Sequence, residues 1–177
     1  IMPSLVGSEM CIRDRKGMTV ITNPLVNSYK RLVHGYEAPT LIAWSTTNRS
    51  PLIRIPVTRG AGTRVELRCP DPAANPYLVL AVCLEAGLDG IRNQITPPDA
   101  VTENVFEMQL QQRAKLGIES LPGDLEQAVE ELEKDDYIKN VLGGHITEKY
   151  LEAKRAEWAD YRAQVTEWEI EKYLYKI

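Results

Sequence analysis

The chain has 177 residues, 44% of them hydrophobic, and a formal net charge of -4. That is one ordinary domain with enough apolar mass for a core. No apolar run approaches the roughly 20 residues of a membrane span, and no stretch reads as a transit segment or secretory signal. Cys11, Cys69 and Cys83 are odd in number and lack CxxC spacing, which argues against a disulfide framework or zinc site and sets a reducing, cytoplasmic compartment as the expectation.

Charge is uneven. Residues 1–98 carry eleven Lys/Arg against seven Asp/Glu, and residues 99–177 carry ten against eighteen. The pattern suggests an anion-handling front and a solvated acidic tail.

In chain order, "EMCIRD" at Glu9–Asp14 can be read from GAG ATG TGT ATA AGA GAC, which resembles the transposon end used in sequencing-library preparation. Residues 1–15 are therefore expected to be an adapter-derived or disordered non-native segment. "GMTVITNP" has an apolar, β-branched centre and stops at the turn signal Asn23-Pro24. "VNSYKRLVHGYEAP" predicts a short helical turn and then a loop. "TLIAWS", "LIRIPV" and "RVELRCP" predict three short strands. Asn75-Pro76 opens a mostly apolar helix, predicted to be buried and to end near Gly87 or Gly90. Asp124 caps an acidic amphipathic helix, followed by a shorter one stopped by Gly143-Gly144. From about Thr147 the spacing predicts one long helix, with Leu151, Trp158 and Val165 in one heptad row and Tyr161 and Trp168 in the other. Those aromatics read as packing. Cys69 and Cys83 read as small core residues, and His145 as a loop or helix-start residue.

Residues 48–68, "NRSPLIRIPVTRGAGTRVELR", hold Arg49, Arg54, Arg59, Arg64 and Arg68 around the single carboxylate Glu66. Alternation puts Arg64, Glu66 and Arg68 on one strand face. Three readings fit: a salt-bridged surface; a nucleic-acid surface, weakened by the acidic net charge and the lack of aromatics among the arginines; or a polyphosphate site. In the last, guanidinium groups neutralise phosphoryl oxygens and Glu66 is one hard-oxygen ligand for a divalent metal.

"NPLVNSYKRLVHGYEAP", "NRSPLIRIP", "TRVELRCPDPAANPYL", "AGLDGIRN" and the tail "EKYL" resemble, in order, the C-terminal motifs of bacterial type I glutamine synthetase, in its Firmicutes-like form. The resemblance runs from about Lys16 to the end. It implies an α+β fold, antiparallel strands plus helices, as the C-terminal portion of that catalytic domain over residues 16–177. It implies an ATP-dependent glutamate–ammonia ligase that forms glutamine through a γ-glutamyl phosphate, using magnesium or manganese, in a cytoplasmic double-ring dodecamer, with no nucleic-acid or membrane partner.

Residue by residue, the resemblance assigns Arg31 to the glutamate carboxylate. Glu37 falls on the flap that closes over the site and takes a proton from ammonium. Arg49 and Arg54 fall on the ATP phosphates, with Arg49 also reaching the transferring group. Arg64 falls on the nucleotide side, Glu66 on a metal ion, and Arg68 on the glutamate side-chain end. Arg59 has no assigned role. The late aromatics are implied in subunit contact.

Three departures stand out. His34 replaces the proline of the family's "VPGYEAP". Phe106 stands where adenylylated members carry a tyrosine, which implies the absence of that control. The N-terminal β-grasp domain, the other metal-binding glutamates and "GSGMH" are not matched, which implies a fragment inactive by itself. Alternative readings are a γ-glutamyl amine or polyamine ligase, and a non-catalytic regulatory relative.

Overall fold

The structure is a computed structural model that describes residues 15–33, 35, 36, 38–48, 50–103, 105, 107–174 and 176. His34, Glu37, Arg49 and Phe106 lie outside the described residues, as does nearly all of the expected adapter segment.

The first element is helix α1, Arg15–Thr22. It occupies the run whose β-branched centre favours a strand. Tertiary packing overrides that preference: Met18, Val20 and Ile21 are all buried in the main core. Gly17 lies so close to Asp135 that a Cβ there would collide with its side chain. A 3-10 turn, Val26–Lys30, follows where a short helical turn is expected.

The three predicted strands form, shortened to two residues each: β1 Trp44–Ser45, β2 Ile53–Arg54 and β3 Glu66–Leu67. Their order is β1-β2-β3. The expectation of antiparallel strands holds for β2 and β3, where Ile53 faces Leu67 and Arg54 faces Glu66. It fails for β1 and β2, which run parallel. The sheet is mixed because residues 46–52 carry the chain back before β2 starts, rather than turning it as a hairpin would.

Helix α2, Pro76–Arg92, starts at the predicted cap, with the Asn75 side chain accepting from the backbone N–H of Tyr77 and Leu78. It is not the buried helix expected from its composition. Only Val82, Ala86 and Gly90 are buried, while Tyr77, Leu80 and Leu84 are 83%, 67% and 63% exposed. Those three share one face at helical spacing, so α2 presents an apolar stripe to solvent.

A short helix α3, Leu110–Lys115, has no counterpart in the sequence reading. Asp124 caps α4, Leu125–Lys134, by accepting from Gln127 N. Asp135 caps α5, Asp136–Leu142. Gly143, at φ 79° and ψ 153°, then turns the chain into α6, Gly144–Arg162; a side chain is strained there. His145 sits in the first turn of α6, as expected. The predicted long helix breaks after Arg162. Thr166 opens α7, Glu167–Glu169, because its hydroxyl accepts from Glu169 N while the Glu169 carboxylate accepts from Thr166 N. This is a capping box, and it outcompetes the heptad pattern. A π-turn, Ile170–Leu174, follows.

The main core joins α1, the sheet and α2, α4 and α5 around Leu52, Ile53, Val82, Leu125, Leu132 and Ile138. A smaller cluster contains Leu41, Ala43, Val105 and Met108. Cys69 is buried and Cys83 half-buried, and the Cys69 sulfur lies 3.8 Å from the Thr22 hydroxyl. Trp158 packs on the core and stands 5.7 Å from Tyr161. Trp168 is instead exposed, against Tyr173. No helix among the described residues is long and apolar enough to cross a membrane.

Candidate functional site

The β2–β3 register decides the centre of the site. Arg54 and Glu66 are direct partners across an antiparallel ladder, so their side chains leave the same face side by side. Arg54 Nη1 donates to Glu66 Oε2 at 3.1 Å. Arg64, two residues before Glu66, donates to Oε1 from Nε at 2.8 Å and lies 2.7 Å from it through Nη2. Both carboxylate oxygens are thus held by guanidinium groups. Burial pushes the Glu66 carboxyl up, but the hydrogen bonds and charges of Arg54 and Arg64 outweigh it and hold the pKa below the ordinary carboxylate value. Arg54 Nε is buried with no hydrogen-bond partner among the described residues.

Arg31 and Arg68 meet through backbone. Arg31 Nη1 donates to the Cys69 carbonyl at 2.9 Å, and Nη2 to the Arg68 carbonyl at 3.2 Å. The same Cys69 carbonyl accepts from Asn23 Nδ2 at 2.8 Å. Arg68 N donates to the Leu52 carbonyl at 3.0 Å, and its Nη1 reaches the Pro51 carbonyl at 3.4 Å. Arg31 therefore ties the end of the 3-10 turn to the strand end that carries Arg68. Sequence reasoning missed Asn23, which is fully buried. Its only signal was the turn dipeptide Asn23-Pro24, which says nothing of a carbonyl 46 residues away.

Arg59 folds back on its own loop, with Nη1 donating to the carbonyls of Pro56 and Thr58. The proposed catalytic residues Glu37 and Arg49 lie outside the described residues. A cleft of about 1000 Å³ is lined by Trp44, Val101, Met108, Gln112, Leu116 and Ile118 among others, and by no arginine. Its walls are largely apolar and hold no cluster of cations.

A divalent cation of the magnesium kind needs about six oxygen ligands. Among the described residues, no group of three or more His, Cys, Asp or Glu is placed to hold one. Glu66 is the single carboxylate in the cluster, and both its oxygens are already engaged. These residues do not make a metal site by themselves. What they do make is a face of guanidinium groups suited to paired hydrogen bonds with phosphate or carboxylate.

A family model described as glutamine synthetase, catalytic domain, matches residues 11–173. The chain is 56% identical over 165 residues to the glutamine synthetase of Clostridium saccharobutylicum, covering 93% of this chain and 37% of the relative. It is 54% identical over 164 residues to that of Thermotoga maritima, with the same coverage. Among solved structures, one described as a GmaS/ADP complex, conformation 1, superposes with a TM-score of 0.83 at 39% identity, covering 97% of this chain and 40% of that one. The chain thus spans little more than a third of the length of the curated relatives it matches. Motifs, fold and family match agree: the chain belongs to the glutamine synthetase catalytic-domain family.

Proposed function

We propose that this chain supplies the arginine wall of an ATP-dependent glutamate–ammonia ligase, as the C-terminal part of its catalytic domain. The observation that carries the reading is the convergence of Arg54, Arg64 and Glu66 on one sheet face in a chain 56% identical to a glutamine synthetase.

In this reading the γ-carboxylate oxygen of glutamate attacks the terminal phosphorus of ATP, and ADP leaves. Ammonia then attacks the acyl carbon and phosphate leaves. Arg54 and Arg64 bind the nucleotide phosphates, and Arg49 neutralises the transferring group. Little covalent work falls to the protein in such a transfer, so fixed positive charge is what the wall contributes. Arg31 and Arg68 orient glutamate. Glu37 takes the proton from ammonium and helps exclude water from the acyl phosphate, which would otherwise hydrolyse. Magnesium or manganese, held partly by Glu66 and partly by carboxylates outside this chain, would screen the phosphate charge. The intact enzyme is a cytoplasmic homo-oligomer, a two-ring dodecamer. The relatives named glutamine synthetase at 56% and 54% identity favour the ammonia ligase over the amine-ligase alternative.

The chain by itself is expected to make no glutamine, because one engaged carboxylate cannot complete a cation site. A chimera in which it replaces the matched region of the Clostridium saccharobutylicum enzyme is expected to form glutamine from glutamate, ammonia and ATP. Glutamine formation by the chain alone, or a folded chimera without ligase activity, overturns the reading.

A further inference from the structure

Glu66 has more contact with this site than one metal ligand requires. Its Oε2 accepts from Arg54 and its Oε1 from Arg64. Together the two guanidinium groups have the donor geometry that paired phosphate oxygens would need. None of the three side chains is sealed from water: 24% of the Arg54 side chain, 51% of Arg64 and 27% of Glu66 are exposed.

We propose that Glu66 is the resident counter-anion of the arginine wall, and that a polyphosphate binds by displacing it. The inference deepens the ligase reading, on which the choice of polyphosphate rests. Its physical basis is competition. A tethered carboxylate faces the guanidinium groups at a high effective concentration, in the millimolar range or above for a short connection. A free anion must outcompete it before it gains its own charge-assisted hydrogen bonds. Arg64 offers the point of entry, because it is the more exposed of the two cations and lies outside the β3 ladder. Arg54, fixed in β2 opposite Glu66, exchanges second. The exchange breaks the Glu66 contacts to Arg54 and Arg64 and forms phosphate contacts to the same nitrogens. The incoming polyphosphate brings more negative charge than the single carboxylate it displaces, and a carboxylate is set free each time an anion enters.

The test uses the whole chain, inorganic triphosphate as the probe and a chelator to remove divalent ions. Binding is measured by calorimetry for the unmutated chain, Glu66→Gln, Glu66→Ala and the control Glu85→Gln. The control removes one carboxylate from an exposed pair with Arg92. Glu66→Gln and Glu66→Ala are expected to bind triphosphate about tenfold more tightly than the unmutated chain, the scale of one charge-assisted hydrogen bond, and Glu85→Gln to match it. In the unmutated chain labelled with 13C at glutamate carboxyls, saturating triphosphate is expected to move the Glu66 signal towards those of exposed glutamates. Equal or weaker binding by both Glu66 variants, or a Glu66 signal that stays in place while triphosphate binds, overturns the proposal and leaves the ligase reading intact. Failure of triphosphate to bind any variant overturns both the proposal and the phosphate-binding roles of Arg54 and Arg64.

Discussion

Arg54 Nη1 stands 3.1 Å from Glu66 Oε2, directly across the β2–β3 ladder, and Arg64 closes on the other oxygen. The pKa of Glu66 is held below its ordinary value by those contacts. A carboxyl depressed in the folded state stabilises the fold above its unfolded pKa, and that contribution disappears as pH falls through the folded pKa. Denaturant unfolding of the chain and of Glu66→Gln between about pH 3 and pH 6 measures it. The two stability curves are expected to converge on acidification; parallel curves would show that the pair adds nothing to the fold.

Asn23 is the buried group on which Arg31 and the end of β3 depend. Asn23→Ala removes one donor to the Cys69 carbonyl, which Arg31 also holds. The loss is expected to be about 1–3 kcal/mol in chemical denaturation. Amide exchange at Arg68 and Asp71, which donate to the Leu52 and Thr22 carbonyls, should accelerate with it. Protection unchanged at both amides would contradict the anchoring role.

Gly17→Ala is expected to cost about 1–3 kcal/mol, because the added methyl collides with the Asp135 side chain. Asp135 cannot swing away freely, since its Oδ1 accepts from Ile138 N at 3.0 Å and caps α5. Thermal unfolding reads this directly, and an unchanged midpoint would show that α1 shifts to make room.

The α2 stripe makes the opposite prediction. Leu80→Glu and Leu84→Glu lie at positions 67% and 63% exposed, so their effect on unfolding free energy is expected to stay within about 0.5 kcal/mol. The double variant should reduce dye binding to apolar surface and self-association in sedimentation. A large loss of stability would show that the stripe is covered within the chain.

Leu132→Ala, at a fully buried position in the centre of the main core, is expected to cost about 2–5 kcal/mol by lost transfer energy and an unfilled cavity.

What was legible in the sequence follows from the range of each interaction. The Asn75 and Asp124 caps act over two or three residues, and both are where the residue order puts them. The alternation in "RVELR" rightly sets Glu66 against arginines, because the carboxylate and its partner Arg64 are only two residues apart. Long-range effects were hidden. Thr19, Val20 and Ile21 favour a strand locally, but burial against α4 makes them helical. The apolar composition of α2 predicts burial, whereas the described residues leave one side of it bare. Thr166 and Glu169 did carry a legible signal, the capping-box spacing, and it outranks a heptad row of Trp158 and Val165. Of the candidate site, Arg54, Arg64 and Glu66 converge, while Arg31 meets the Arg68 end of the strand through backbone carbonyls that no side-chain pattern can announce.

Helix α6 also bears on how the chain is made. Tyr150 donates its hydroxyl to the Val20 carbonyl at 2.8 Å across 130 residues, and Val26 N donates to the Glu157 carboxylate at 3.2 Å across 131. Within this chain, α1 is therefore made well before α6, one of the elements that hold it. During synthesis, Met18, Val20 and Ile21 belong to an unfinished surface, and chaperones that recognise short apolar segments have that interval in which to act.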